Sequence, residues 1–121
     1  MAIIGAHMLL YTSEPEALRT TLREAFGFES VDAGHGWLIF ALPPSELGVH
    51  PAESDSHHQI SFMCDDIRAT AAELRAKGVS IDGEPKNEGF GITVTMTLPG
   101  GVKVMLYQPR HPLAITPAKK G

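Results

Sequence analysis

Cysteine, basic charge and long apolar runs are scarce or absent in this sequence of 121 residues. Cys64 is the single cysteine, so no disulfide can form within the chain, and a reducing cytoplasm is the expected location. The net charge of −4 disfavours nucleic acid as a partner. No run reaches the roughly 18 apolar residues that a membrane span needs, so we expect no membrane partner. The first residues also lack the basic start of a signal peptide.

What remains is an ordinary globular composition, with 43% hydrophobic and 20% charged residues. A chain of this length can bury one core, so we expect a single domain over residues 1–121. The last residues, 113–121, contain proline and glycine without a periodic pattern and are expected to form a loose tail.

The first half of the chain has the pattern of a strand, a helix and three further strands. Residues 3–11 are apolar and of strand length. Ser13 is the expected N-cap of the helix, with Glu16 completing a capping box, and Gly27 is the expected C-terminal stop. Three short β-type runs follow, at residues 28–31, 36–42 and 47–50.

The second half repeats this order. A strand is predicted over residues 59–64, followed by a capping pair of aspartates at 65–66 and a helix that Gly78 ends. Three strands are then predicted, at residues 79–82, 92–98 and 102–107. His7 and Gln59 are 52 residues apart, as are Ser13 and Asp65, and this constant offset indicates an internal duplication.

Two βαβββ modules in about 120 residues resemble the vicinal oxygen chelate superfamily, which includes glyoxalases, bleomycin resistance proteins and extradiol dioxygenases. The segments QISFMCDDIRATAAELRAKGV and LPGGVKVMLYQP are similar to the opening and the last strand of the family's second module. The resemblance implies an α+β fold in which two tandem βαβββ modules form a cleft-shaped half-barrel sheet. Module one would cover about residues 1–52 and module two about residues 57–112.

The resemblance also implies where a metal ion would bind. In the family, ligands come from the first and last strands of each module, which here gives His7, His50 and Gln59 as metal ligands. The fourth position is Met105, where metal-binding relatives typically carry glutamate. Two imidazoles and an amide bring no negative charge, and a thioether is a soft ligand. We therefore expect a divalent ion (zinc, nickel, manganese or iron) to be weakly held or absent, in which case His7 and His50 simply line a wet cleft.

Strand periodicity predicts which side chains face the cleft. Alternate residues of a strand point to opposite faces, so Val104 and Leu106 should enter the core while their neighbours face the ligand. The same rule turns His58 away from the cleft, and His57 precedes the strand. The predicted substrate-binding residues are Tyr11, Ser61, Lys103, Met105 and Tyr107.

The leading functional hypothesis is a glyoxalase-like enzyme, of lyase or isomerase type, acting on a small oxygenated substrate with an incomplete metal site. The alternative is a non-catalytic protein of bleomycin-resistance type that binds a small molecule or drug. Relatives in this family often dimerise, and we expect a homodimer. The metal content of the purified protein is the measurement that separates the two hypotheses.

Overall fold

The computed structural model describes residues 7–46 and 58–117. The fold is α+β, with two helices and open sheets, as predicted. Its elements are α1 (Pro15–Glu24), β1 (Ser30–Asp32), β2 (Leu38–Phe40), β3 (Ser61–Met63), α2 (Ile67–Ala76), β4 (Ser80–Asn87), β5 (Gly91–Leu98) and β6 (Val102–Pro109).

The predicted order of module two is confirmed. Its strands form one four-stranded sheet in the order β3-β6-β5-β4. β3 and β6 run parallel, which requires the crossover that α2 supplies, and the other two pairings are antiparallel. β4 is longer than predicted, because the chain continues past a register shift between Asp82 and Lys86 to the turn before β5.

Module one appears in the described residues as α1 and the antiparallel pair β1-β2. The strand predicted at residues 3–11 is not formed over residues 7–11, and residues 3–6 lie outside the described residues. An apolar run becomes a strand only where a neighbouring edge accepts its backbone hydrogen bonds, and no described strand pairs with residues 7–11. The run predicted at 47–50 also lies outside the described residues, so the boundary between the modules stays a prediction.

The helix ends show one correction. Ser13 is not the N-cap of α1: the cap is Glu14, which makes no side-chain capping bond, and Glu16 pairs with Arg19 instead. In α2 the cap is Asp66, whose carboxylate accepts from the Ala69 N–H at 3.2 Å. The two caps, Glu14 and Asp66, are still 52 residues apart, and the duplication that this offset indicates stays a prediction.

The core lies between the two helices and one face of the four-stranded sheet. Both helices contribute their apolar stripe, and β5 and β6 contribute alternate residues. The buried residues that define it are Leu18, Ala25, Ile67, Ala71, Leu74, Val79, Val94, Met96, Leu98, Val104 and Leu106. No helix in the described residues is long and apolar enough to cross a membrane.

Candidate functional site

The face of the four-stranded sheet opposite the core is the candidate site, and we call it the open face. The predicted alternation holds on β3 and β6: Val104 and Leu106 are almost fully buried, and Phe62 packs against the core. Their neighbours in sequence therefore point the other way. The open face is lined by Ser61, Met63, Thr93, Thr95, Lys103, Met105 and Tyr107.

Strand register sorts these side chains into rows across the sheet. Met105 lies opposite Ser61 on β3 and Thr95 on β5, so it occupies the middle of the face. Tyr107 lies opposite Met63 and Thr93 in the next row. The centre of the open face is thus a thioether and aromatic surface bordered by hydroxyl groups, which suits an organic ligand with both apolar and polar atoms.

Two residues at predicted metal-site positions do meet. The amide nitrogen of Gln59 donates to the sulfur of Met105 at 3.4 Å. His7 is exposed, and His50 lies outside the described residues. Within residues 7–46 and 58–117, no group of three or more histidine, cysteine, aspartate or glutamate side chains is placed to hold a metal ion. Because a neutral amide and a thioether supply no negative charge, and the thioether is a soft ligand, the described donors do not fit a tightly bound divalent ion.

Lys103 lies at one end of the open face, and its positive charge is paired with the carboxylate of Asp82. Its ammonium group donates to the Thr97 hydroxyl at 2.7 Å and to an Asp82 carboxylate oxygen at 3.2 Å. Thr97 in turn donates to the same carboxylate. This network is solvent-exposed, so its contribution to stability is small, and it leaves little net charge at this end for a ligand to match.

Aromatic rings occupy the other end of the open face. The Tyr107 ring lies 5.9 Å from the ring of Phe90 and 5.8 Å from that of His111, between centroids. Gly91 makes room for it, because a Cβ atom there would lie 2.3 Å from Tyr107 Cε1. The Tyr107 hydroxyl donates to the Phe90 carbonyl oxygen at 3.3 Å, which holds the ring across the end of β5.

Glu46 joins this aromatic end from module one, and the sequence analysis did not identify it. One carboxylate oxygen, Oε1, accepts from the Ala114 N–H at 2.9 Å, and the other, Oε2, lies 3.9 Å from His111 Nε2. The pKa of the Tyr107 phenol is raised, mainly by partial burial and to a smaller extent by the negative charge of Glu46. No local pattern marks Glu46, since its partners lie more than 60 residues away along the chain.

Of the predicted substrate-binding residues, the structure brings four together on the open face: Ser61, Lys103, Met105 and Tyr107. The fifth, Tyr11, is 86% exposed and has no described partner on that face. Ligand binding by all five residues stays a prediction, as does metal binding by His7, His50 and Gln59.

A cavity of about 320 Å³ lies elsewhere, beside the β5-β6 turn. Its one ionisable lining residue is Glu14, whose carboxylate already accepts from the Gly100 N–H at 2.8 Å. The open face offers the more varied chemistry, with sulfur, hydroxyl, aromatic and carboxylate groups, and we take it as the candidate site.

A family model described as the glyoxalase/bleomycin resistance protein/dioxygenase superfamily matches residues 5–106. The chain belongs to this superfamily, as its sequence pattern implied. No protein with a curated description matches the chain in sequence.

Solved structures similar to this chain carry different described roles. TnmS3, an antibiotic binding protein from Streptomyces sp. CB03234, is 26% identical over 90% of this chain and 98% of its own, with a TM-score of 0.65. A glyoxalase/bleomycin resistance protein from the same organism is 25% identical over 82% of this chain and 95% of its own, with a TM-score of 0.55. A lactoylglutathione lyase from Agrobacterium tumefaciens is 16% identical over 89% and 94%, with a TM-score of 0.61, and this likeness shows the fold alone.

Proposed function

We propose that this protein binds a small organic molecule on its open face and sequesters it without chemical change. The observation that carries this proposal is the Gln59–Met105 contact at 3.4 Å, which occupies the place where metal-binding relatives carry a carboxylate. Without that carboxylate the site lacks both a metal ligand and the usual general base of a glyoxalase or epimerase. The similarity to an antibiotic binding protein supports the same conclusion.

The lining of the open face supports an apolar, partly aromatic ligand of drug type. Met63 and Met105 are unbranched and polarizable, so they adapt to irregular ligand shapes and make favourable contacts with aromatic rings. Tyr107 adds a ring that lies over Gly91 and is held by the hydrogen bond from its hydroxyl to the Phe90 carbonyl oxygen. The partly exposed hydroxyl groups of Ser61 and Thr95 can orient polar atoms of the ligand, whereas Thr93 is buried.

A lyase or isomerase acting on a small oxygenated substrate is the second candidate. One observation favours it: the Glu46 carboxylate and the His111 imidazole are both acid–base groups, and they lie 3.9 Å apart beside Tyr107. Binding and catalysis are separated by whether a product forms.

Methionine methyl groups provide the direct test. In protein labelled with ¹³C at the methionine methyls, addition of bleomycin should shift the signals of Met63 and Met105 and leave Met96, which is fully buried in the core, unchanged. Tyr107→Ala should weaken binding about tenfold, since truncating an aromatic anchor costs roughly 1–2 kcal/mol or more. Trp37→Phe, in the connection between β1 and β2, is the control and should bind as the wild type does.

The same protein is then incubated with methylglyoxal and glutathione. We expect no S-lactoylglutathione, and turnover that Glu46→Gln or His111→Phe abolishes would establish the second candidate instead. A titration in which bleomycin shifts neither Met63 nor Met105 would count against binding of this drug class at the open face.

A further inference from the structure

The aromatic end of the open face contains a carboxylate that the protein only half satisfies. The Glu46 side chain is 21% exposed, so most of it is removed from water. Oε1 accepts from the Ala114 N–H at 2.9 Å, whereas Oε2 accepts no hydrogen bond from any described residue. In the described part of the chain, no lysine or arginine pairs with Glu46. A mostly buried charge of this kind is costly unless a partner compensates it.

His111 presents a second acceptor to the same place. Its Nδ1 lies 2.8 Å from the Pro112 carbonyl oxygen, which can only accept, so in the neutral ring Nδ1 carries the hydrogen. Nε2 then has a free lone pair, and it lies 3.9 Å from Glu46 Oε2. Two acceptors at that separation can both be reached by one donor atom at a hydrogen-bond distance of about 2.8 Å from each.

The chemistry of the surroundings favours a cationic donor with more than one hydrogen. A hydroxyl group has one hydrogen and satisfies one of the two acceptors, while a primary ammonium group has three hydrogens and satisfies both. A cation also gains from the neighbouring rings of Tyr107 and Phe90, whose electron-rich faces attract positive charge. The net charge of the protein, −4, favours the approach of a cation as well.

The other end of the open face makes no such demand. Lys103 is paired with Asp82 at 3.2 Å and with Thr97 at 2.7 Å, so its charges are matched within the protein. Of these two ends of the open face, the one at Glu46 therefore has the carboxylate that no described lysine or arginine pairs with.

We infer that Glu46, His111, Tyr107 and Phe90 form a subsite for a protonated primary amine, so that the ligand of this protein is an amine-bearing aromatic molecule. Glu46 Oε2 and His111 Nε2 accept hydrogen bonds from the ammonium group, and the rings of Tyr107 and Phe90 contact the carbon skeleton next to it. This inference rests on the proposed function, since it specifies the ligand of the same face.

The test uses three small probes with the ¹³C-methionine protein: benzylamine, benzyl alcohol and benzyltrimethylammonium. Benzylamine is expected to bind about tenfold more tightly than benzyl alcohol, since a charge-assisted hydrogen bond is roughly twice as strong as a neutral one and the cation adds its attraction to the rings. Benzyltrimethylammonium has the charge but no N–H donor and is expected to fall between the two.

Two glutamate variants provide the matched comparison. Glu46→Gln keeps an acceptor for the Ala114 N–H but replaces Oε2 with a donor, so the preference for benzylamine should disappear. Glu88→Gln removes the same charge from the exposed turn beside Phe90 and should leave the preference intact. His111→Phe keeps a ring and removes the acceptor, and it should reduce the preference by several-fold.

The outcomes separate this inference from the proposed function. If benzylamine and benzyl alcohol bind equally well, or if Glu46→Gln and Glu88→Gln weaken benzylamine equally, the amine subsite is wrong while ligand binding stands. If a protonated His111 ring pairs with Glu46, benzylamine binds no more tightly than benzyl alcohol, and that result overturns the subsite. Failure of the proposed function has a different signature, since then neither bleomycin nor any probe shifts Met63 or Met105.

Discussion

The side-chain amide of Gln59 donates to the sulfur of Met105, and 3.4 Å separates the nitrogen from the sulfur. The two residues come from the beginning and the end of module two, and the parallel pairing of β3 with β6 brings them side by side. This contact puts neutral atoms at the position where the family resemblance predicts a glutamate ligand in metal-binding relatives.

Restoring that carboxylate should create metal affinity. In Met105→Glu we expect zinc, nickel or manganese to bind about tenfold or more tightly than in the wild type, because a charged hard ligand replaces a soft neutral one. Calorimetric titration at neutral pH measures the change. The gain should disappear when His7→Ala or His50→Ala is added and persist with His58→Ala, as the predicted ligand set requires.

Met63→Glu is the control for this experiment. It places a carboxylate on the same open face, beside Tyr107 rather than beside Gln59. Equal metal affinity in Met63→Glu and Met105→Glu would show that added negative charge, and not the predicted ligand geometry, is responsible.

The β5-β6 turn packs against the segment that precedes α1. Two adjacent glycines in this turn allow the effect of that packing on stability to be measured. The Thr12 hydroxyl donates to the Pro99 carbonyl oxygen at 2.8 Å, and a Cβ atom on Gly100 would lie 1.7 Å from that hydroxyl oxygen. A Cβ on Gly101 would meet nothing within 4 Å. Both glycines have positive φ, +85° and +79°, so the backbone strain of an alanine is similar at the two positions and only the contacts differ. Gly100→Ala should therefore cost about 1–3 kcal/mol more unfolding free energy than Gly101→Ala.

Urea denaturation of the two variants gives this difference directly. Adding Thr12→Ala to Gly100→Ala removes the closest contact and should recover part of the loss. Equal unfolding free energies for Gly100→Ala and Gly101→Ala would mean that residues 12–14 do not pack on the turn in solution.

Cys64 should be an unreactive thiol. Burial raises its pKa from the ordinary value of 9.0 to about 11, with the Thr70 hydrogen bond opposing and the nearby aspartates adding to the shift. At pH 8 the folded protein should react with iodoacetamide much more slowly than the same protein in urea, because the thiolate is the nucleophile.

The same shift has a consequence for stability at high pH. The unfolded thiol loses its proton near pH 9, whereas the folded thiol keeps it until about pH 11. The unfolded state therefore binds fewer protons in this window, and the unfolding free energy should fall as pH rises from 9 towards 11. Cys64→Ser removes this component, so above pH 9 the unfolding free energy of the wild type should fall more steeply with pH than that of Cys64→Ser. An equal pH dependence in the two proteins would contradict the prediction.

Homodimer formation stays a prediction, and the structure adds a reason for it. In the described residues β3 and β4 are sheet edges, and β1-β2 is an isolated two-stranded sheet. Val31 is exposed on β1, and Trp37 is exposed in the connection between the two strands. Sheet edges and small sheets of this kind are usually covered. Light scattering at micromolar concentration should give twice the chain mass of 13.0 kDa, and a stable species at 13.0 kDa would refute the dimer.

Local rules determined much of this protein from its sequence alone. Period-two alternation placed Val104 and Leu106 in the core and Met105 and Tyr107 on the open face, because neighbouring side chains of a strand must point to opposite sides. Gly27 and Gly78 end their helices with positive φ, +72° and +90°, a conformation that favours residues without a side chain. The 52-residue offset and the family motifs identified the fold, since they repeat the pattern of a whole module.

Only the tertiary structure decided which distant groups meet. Glu46 reaches His111 and Ala114, the Tyr107 ring rests over Gly91, and Gln59 donates to Met105. No periodic pattern in the sequence predicts these contacts, because each depends on strand order and on the path of the chain between modules. The charge balance of the open face arises from such long-range contacts, so the sequence predicted which side chains share this face, and the fold determined which charged groups lie beside them.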